Sequence, residues 1–216
     1  MTPPEAPEHS SLHGIEDYRE HLERTFELGT TSNGVFGSKL MWDQVGELHA
    51  LATALPEYAG LDTAQLLARL FGGPAYVWVS RRDKARQAVS MWRALQTRSW
   101  RHGPEANAER EPVYRFEGID HLVRSFEDDD RSWQEFFSAN GIEALAISYE
   151  DDLENDLDRT VRAVLERLGL EVPTGWEARA PLRRQSDGLS DEWLAQYHRD
   201  RALRRSGADT ATVAGS

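Results

Sequence analysis

"PAYVWVSRRDKARQAVSMWRALQT", residues 74–97, decides the fold of this 216-residue chain. Pro74–Ser80 is a short run of aromatic and β-branched residues behind a Gly-Gly-Pro break, the pattern of a buried strand. From about Asp83 the period changes. Ala85, Ala88, Val89, Trp92, Leu95 and Gln96 then recur along one face of a helix. Arg81 and Arg82 lie at the junction, with Lys84 and Arg86 close behind. In an open α/β sheet, ligands bind beyond the carboxyl ends of the strands. The helix that follows aims its N-terminus at the same place, adding N–H donors and a positive dipole end.

The rest of the chain makes that basic junction unusual. The formal net charge is -12, so a broad positive surface for nucleic acid is not expected and any anion site must be local. At 39% hydrophobic residues with seven Trp, the chain has the composition of a folded domain. It contains no Cys, which excludes disulfides, thiolate metal sites and cysteine nucleophiles. The seven His show no metal-ligand spacing, and no metal is expected. No stretch has the apolar length of a membrane span, and the first residues lack the features of a signal peptide. A cytoplasmic protein is expected.

Outward from the junction, helices and strands alternate. Residues 1–10 read as a flexible N-terminus, 11–205 as one domain and 206–216 as a flexible tail. A helix is predicted from Ser11 to Leu28, with Gly29 as its C-cap. "GVFGSKLMW" (34–42) reads as a short strand or extended segment, with Lys39 near its end. Helices follow from Asp43, expected as an N-cap, to near Pro56, and over "LDTAQLLARLFGG". Beyond a polar loop, a long helix is predicted over 117–139. "EALAISYE" (143–150) reads as a second buried strand. A helix closed by Gly169 and a C-terminal helix capped by Ser190 complete the chain. This alternation predicts an α/β fold, a parallel sheet flanked by helices, with only three strand candidates.

The junction has two readings. Arg82 and Ser90 are eight residues apart, so Ser90 falls about two turns into the helix. An arginine fork with a hydroxyl can hold a phosphate. The alternative is a solvated, charged helix start. A P-loop kinase is disfavoured, because no GxxxxGK[ST] loop is present.

The order strand, arginine, short loop and Ser-bearing helix resembles the 3′-phosphate-binding segment of sulfotransferases. In detail "RRDKARQAVSMWRALQT" resembles the bacterial sulfotransferases typified by a mycobacterial trehalose enzyme. "NGVFGSKLMWDQ", "WQEFFSANGIEALAISYED" and "RQSDGLSDEWLAQY" agree in order and spacing. The resemblance runs from about Ser11 to Tyr197. It implies a P-loop-like sulfotransferase architecture and transfer of a sulfuryl group from 3′-phosphoadenosine 5′-phosphosulfate (PAPS) to a hydroxyl of a carbohydrate-like acceptor. It further implies that Arg82 or Arg81, with Ser90, holds the 3′-phosphate, and that Arg184, with Arg183, closes over the nucleotide. Lys39 would offset charge developing at the bridging oxygen. Trp42, Gln87 and Gln96 are candidate acceptor contacts; the competing readings are core packing for Trp42 and solvent for the two glutamines.

One departure accompanies the resemblance. The family opens with a strand and a Ser/Gly-rich loop around the 5′-phosphosulfate, and its catalytic glutamate lies there. No segment before Gly34 has that pattern. The expectation is therefore an architecture lacking its first strand and loop, with an open strand edge that favours self-association. The rival to an enzyme is a non-catalytic nucleotide-binding or interaction module, with a swapped homodimer as one form.

Overall fold

A computed structural model describes residues 18–97, 111–172, 175–178 and 188–213. The elements in chain order are α1 (Tyr18–Gly29), α2 (Trp42–Thr53), a 3-10 turn (Pro56–Tyr58), α3 (Thr63–Leu70) and β1 (Val77–Ser80). There follow α4 (Lys84–Thr97), α5 (Phe116–Ala139), β2 (Leu145–Ser148), a π turn (Tyr149–Leu153), α6 (Leu157–Arg167) and α7 (Gly188–Val213). The chain divides into two compact units, residues 1–76 with 131–143, and 77–130 with 144–216. Helix α5 contributes to the second unit up to Asp130 and to the first from Arg131.

The first unit is helical. Leu22 of α1, Leu48 of α2, Leu67 and Leu70 of α3 and Phe136 of α5 form its core. Trp42, Trp133 and Phe136 pack edge-on around it, with Trp42 and Trp133 ring centroids 5.0 Å apart. Helix α3 starts on a reciprocal cap. Asp62 Oδ1 accepts from Gln65 N–H at 2.8 Å, and Gln65 Oε1 accepts from Asp62 N–H at 3.1 Å. Asp43 does not cap α2 as expected. It lies within the first turn, and the N-cap is Met41, whose N–H donates to Gln44 Oε1 at 3.0 Å. Gly29 ends α1, but the stop is made by Thr30, whose N–H and Oγ1 both donate to Phe26 O.

Of the stretch 34–42, residues 35–41 lie outside any helix and form no strand of the sheet, while Trp42 opens α2. Phe36 makes one isolated antiparallel bridge to Thr30. The turn at Thr31–Gly34 folds it back, with Thr31 N–H and Oγ1 both donating to Val35 O. The Phe36 ring then packs on Phe26 and Phe71.

The second unit holds the sheet, a parallel pair in which Val77, Trp78, Val79 and Ser80 face Leu145, Ala146, Ile147 and Ser148. Both strands fall where the sequence predicts. Cover on both faces does not. Val77 is 36% and Val79 54% exposed, whereas Ile147, the partner of Val79, is 5% exposed. Helix α6 packs on β2 and the π turn, and the cover does not extend over those two valines. Among the described residues β1 has one strand neighbour, which leaves its other edge open. Helix α6 ends as predicted at Gly169, whose φ is +66°, with Leu170 N–H returning to Leu165 O at 2.9 Å.

The core of this unit is built by α4, α5 and α7. Ala85, Ala88 and Val89 meet Phe116, Ile119, Val123 and Phe126 at helical spacing, and Trp193 and Tyr197 close the cluster. Leu95, expected on the buried face, is exposed. Each large apolar side chain fully buried here contributes about 1.5–3 kcal/mol. Tyr197 is fully buried, and its hydroxyl donates to Asp120 Oδ1 at 2.9 Å. Arg124 pairs with the same carboxylate. Burial opposes ionisation of Asp120, but hydrogen bonds from Arg124 and Tyr197 outweigh it and hold its pKa below the usual range. Helix α7 runs to Val213, past the expected domain end at residue 205. Among the described residues no helix is long and apolar enough to cross a membrane.

Three substitutions test this packing. A Cβ at Gly118 would lie 2.6 Å from the Trp92 ring, so Gly118→Ala is expected to cost about 1–3 kcal/mol in urea unfolding. Gly46, mid-helix in α2 with nothing within 4 Å, is the opposite case; Gly46→Ala should gain about 0.5–1 kcal/mol. Tyr197→Phe removes a hydrogen bond to an ionised carboxylate and should cost about 1.5–3 kcal/mol at neutral pH. Because the folded pKa of Asp120 is depressed, that contribution is present above the ordinary aspartate range and is lost as pH falls through the folded value. The gap between Tyr197→Phe and the unchanged protein should therefore narrow in acid unfolding curves.

Candidate anion site at the end of the sheet

The carboxyl ends of β1 and β2 lie side by side, because the strands are parallel and Ser80 pairs with Ser148. Beyond Ser80 come Arg81, Arg82 and Asp83; beyond Ser148 come Tyr149, Glu150 and Asp151. These two triplets hold each other. Glu150 Oε2 accepts from Arg82 N–H at 3.0 Å, and Oε1 accepts from Asp83 N–H at 3.3 Å. The Arg81 guanidinium lies 4.0 Å over the Tyr149 ring. Arg82 Nη2 donates to Asp151 Oδ1 at 2.7 Å. Burial works against ionisation of Glu150, yet the two loop N–H groups and the Arg81 charge outweigh it, and its carboxyl titrates below the usual range.

This geometry changes what the helix start offers. Asp83 caps α4, accepting Arg86 N–H at 2.8 Å. Its own N–H and that of Arg82 already go to Glu150. Lys84 N–H donates to Arg82 O at 3.0 Å, so four of the five backbone donors from Arg82 to Arg86 are already taken, and side chains carry the main capacity for holding an anion here.

The two arginines differ. The Arg82 side chain is 66% exposed and paired. Arg81 is half-buried; its Nε is shut off from solvent and has no hydrogen-bond partner. A buried, unpartnered donor is costly, and a ligand would satisfy it. On α4, Gln87 likewise has a buried Oε1 without a partner. Ser90 is half-buried one turn further on.

Ser90 is flanked by a second set of contacts. Arg86, one turn before it, donates to Asp191 Oδ1 at 2.7 Å, and Arg93, one turn after it, donates to Ser190 Oγ. Both partners lie in the first turn of α7. Ser190 is thus not the N-cap the sequence predicts. It sits inside the helix, 8% exposed, with its hydroxyl bound to Arg93. These pairs fix the start of α7 against α4 on either side of Ser90. Arg183 and Arg184 lie outside the described residues.

Other candidates have different surroundings. Gln96 is occupied by backbone: Nε2 donates to Val113 O at 3.1 Å and to Trp92 O, while Oε1 accepts from Val113 N–H at 2.8 Å. It anchors the chain entering α5. Trp42 packs in the core of the first unit, and Lys39 is exposed in that unit's extended segment. The first unit also has an apolar pocket, lined mainly by Leu22, Phe26, Phe36, Leu40 and Phe71, without converging charged groups. Sequence reasoning missed Tyr149, Glu150 and Asp151. The available signal was a "YEDD" run directly at a strand's carboxyl end.

Residues 3–200 match the family model described as Stf0 sulphotransferase. The chain is similar to the trehalose 2-sulfotransferase of Mycobacterium tuberculosis (strain ATCC 35801 / TMC 107 / Erdman), 36% identical over 182 residues, or 83% of this chain and 66% of that protein. It is also similar to the trehalose 2-sulfotransferase of Mycolicibacterium smegmatis (strain ATCC 700084 / mc(2)155), 34% identical over 184 residues, or 85% of this chain and 67% of that protein. The chain spans about two thirds of the length of these curated relatives. With nearly all of its length matched by the family model and about a third of aligned positions identical to each relative, the chain belongs to the Stf0 sulphotransferase family.

Proposed function

We propose that this chain binds PAPS at the carboxyl end of the β1–β2 pair and serves the transfer of its sulfuryl group to a hydroxyl of a carbohydrate-like acceptor. The observation that carries the reading is Arg81, with a desolvated Nε that has no protein partner, at the ligand-binding end of a parallel sheet. Family membership supplies the reaction class. The acceptor class follows the relatives, both named for trehalose.

In this reading Arg81 donates a charge-assisted fork to the 3′-phosphate, and the Ser90 hydroxyl donates a further hydrogen bond from α4. Arg82 first has to leave Asp151, so it contributes less. Arg184 is four residues before Gly188, whose helix is fixed beside Ser90 by Arg86 and Arg93. By resemblance to the family, Arg184, with Arg183, is assigned to close over the nucleotide. Gln87 offers an unpartnered acceptor on the same helix. No metal is required for these roles.

A second reading has one observation in its favour. The open edge of β1, with Val77 and Val79 exposed, fits a nucleotide-binding module that works through association with another strand. Binding and turnover separate the two. Calorimetry with adenosine 3′,5′-bisphosphate should show binding, weakened by about 1.5–3 kcal/mol in Arg81→Ala and by less than about 1 kcal/mol in Arg82→Ala. Equal effects, or a larger one at Arg82, would contradict the assignment. With labelled PAPS and trehalose, transfer of label to the sugar is the outcome expected of the enzyme reading, and nucleotide binding without transfer that of the module. Turnover at an ordinary rate would exclude the module reading.

A further inference from the structure

We infer that Glu150 and Tyr149, at the end of β2, are positioning residues that set the donor-binding loop before any nucleotide arrives. The inference rests on the donor reading given above and adds two residues to it.

Four contacts carry it. Glu150 spans to Arg82 and Asp83, binding one backbone N–H with each carboxylate oxygen. Ser148 Oγ lies 3.4 Å from Glu150 Oε2 and donates to it, steadying the carboxylate from its own strand end. Tyr149 provides the face on which the Arg81 guanidinium rests. The loop between Ser80 and Lys84 is only three residues long, so fixing two of its N–H groups fixes the direction in which Arg81 leaves the backbone. The aromatic face then limits the side chain to one plane.

The charge of Glu150 makes the role testable. A carboxylate at the mouth of a phosphate site repels the ligand, so by charge alone its removal would tighten nucleotide binding. Positioning predicts the reverse. Glutamine has nearly the same shape but only one oxygen; its amide nitrogen is a donor and cannot accept from a loop N–H. Glu150→Gln therefore leaves one loop N–H without an acceptor and frees the loop.

The experiment measures calorimetric affinity for adenosine 3′,5′-bisphosphate together with amide hydrogen exchange in the full chain. The expected result is about tenfold weaker binding in Glu150→Gln, despite the lost negative charge. Tyr149→Ala should weaken binding to a similar degree, and Tyr149→Phe, which keeps the ring, should recover most of the loss. Glu171→Gln, an exposed glutamate distant in sequence from the loop, supplies the matched change in net charge. Exchange at Arg82 and Asp83 should accelerate in Glu150→Gln, while peptides covering Ile119–Phe126 stay protected and report an intact core. Unchanged or tighter binding in Glu150→Gln, with binding by the unchanged protein intact, would overturn the positioning role alone. Unchanged exchange at Arg82 and Asp83 would do so without reference to the ligand. Absence of nucleotide binding by the unchanged protein would overturn the donor reading, and the positioning role with it.

Discussion

One carboxylate ties the two halves of the site. Glu150 reaches across 68 residues of sequence to accept the N–H of Arg82, and one fewer to that of Asp83. Parallel strands cannot be joined by a tight turn, so nothing local fixes where one strand end lies against the next. The register of β1 on β2 places Ser80 beside Ser148, and Glu150 closes that register with two hydrogen bonds just beyond it. The start of α4, the pairing of Arg82 with Asp151 and the seat of Arg81 on Tyr149 all follow from this closure.

The same closure accounts for the proposed anion site in a chain of acidic composition. Its net charge is -12, yet the cations gathered at the sheet end are balanced locally. Arg82 is offset by Asp151, Arg86 by Asp191 and Lys84 by Asp130. An exposed pair such as Arg82–Asp151 contributes about 0–1 kcal/mol to stability, so its main effect is on geometry and on which cation stays available. Arg81 is set apart, because its contact is an aromatic face. It keeps its hydrogen-bonding capacity, and the half-buried surroundings strengthen any charge-assisted bond it makes.

Much of this was legible in the sequence where a periodic pattern or a local cap defines it. The strand at Val77–Ser80, the helix after Asp83, the strand at Leu145–Ser148 and the stop at Gly169 follow from such patterns. Where a long-range contact decides, the sequence gives no sign. Asp43 and Ser190 have the chemistry of N-caps, but α2 begins one residue before Asp43 and the Ser190 hydroxyl is bound to Arg93. The segment 34–42 reads as a short strand or extended segment, but its turn and the packing of Phe36 hold it away from the ladder. Val77 and Val79 read as buried, and their exposure depends on what lies beside β1. In the site, the family resemblance pointed to the basic junction. It could not separate Arg81 from Arg82, since burial and partners distinguish them. Glu150 is marked only by the acidic run at a strand's carboxyl end, since a side chain bound to distant backbone leaves no spacing in the sequence.

The claim at the centre of this account is that the donor's 3′-phosphate is held by side chains at the sheet end while the loop amides stay with Glu150. A crystal structure with adenosine 3′,5′-bisphosphate tests it directly. The 3′-phosphate is expected within hydrogen-bonding distance of the Arg81 guanidinium and Ser90 Oγ, with Glu150 still accepting from Arg82 and Asp83. A phosphate bound to those two amides in place of Glu150, or bound away from Arg81, would contradict it.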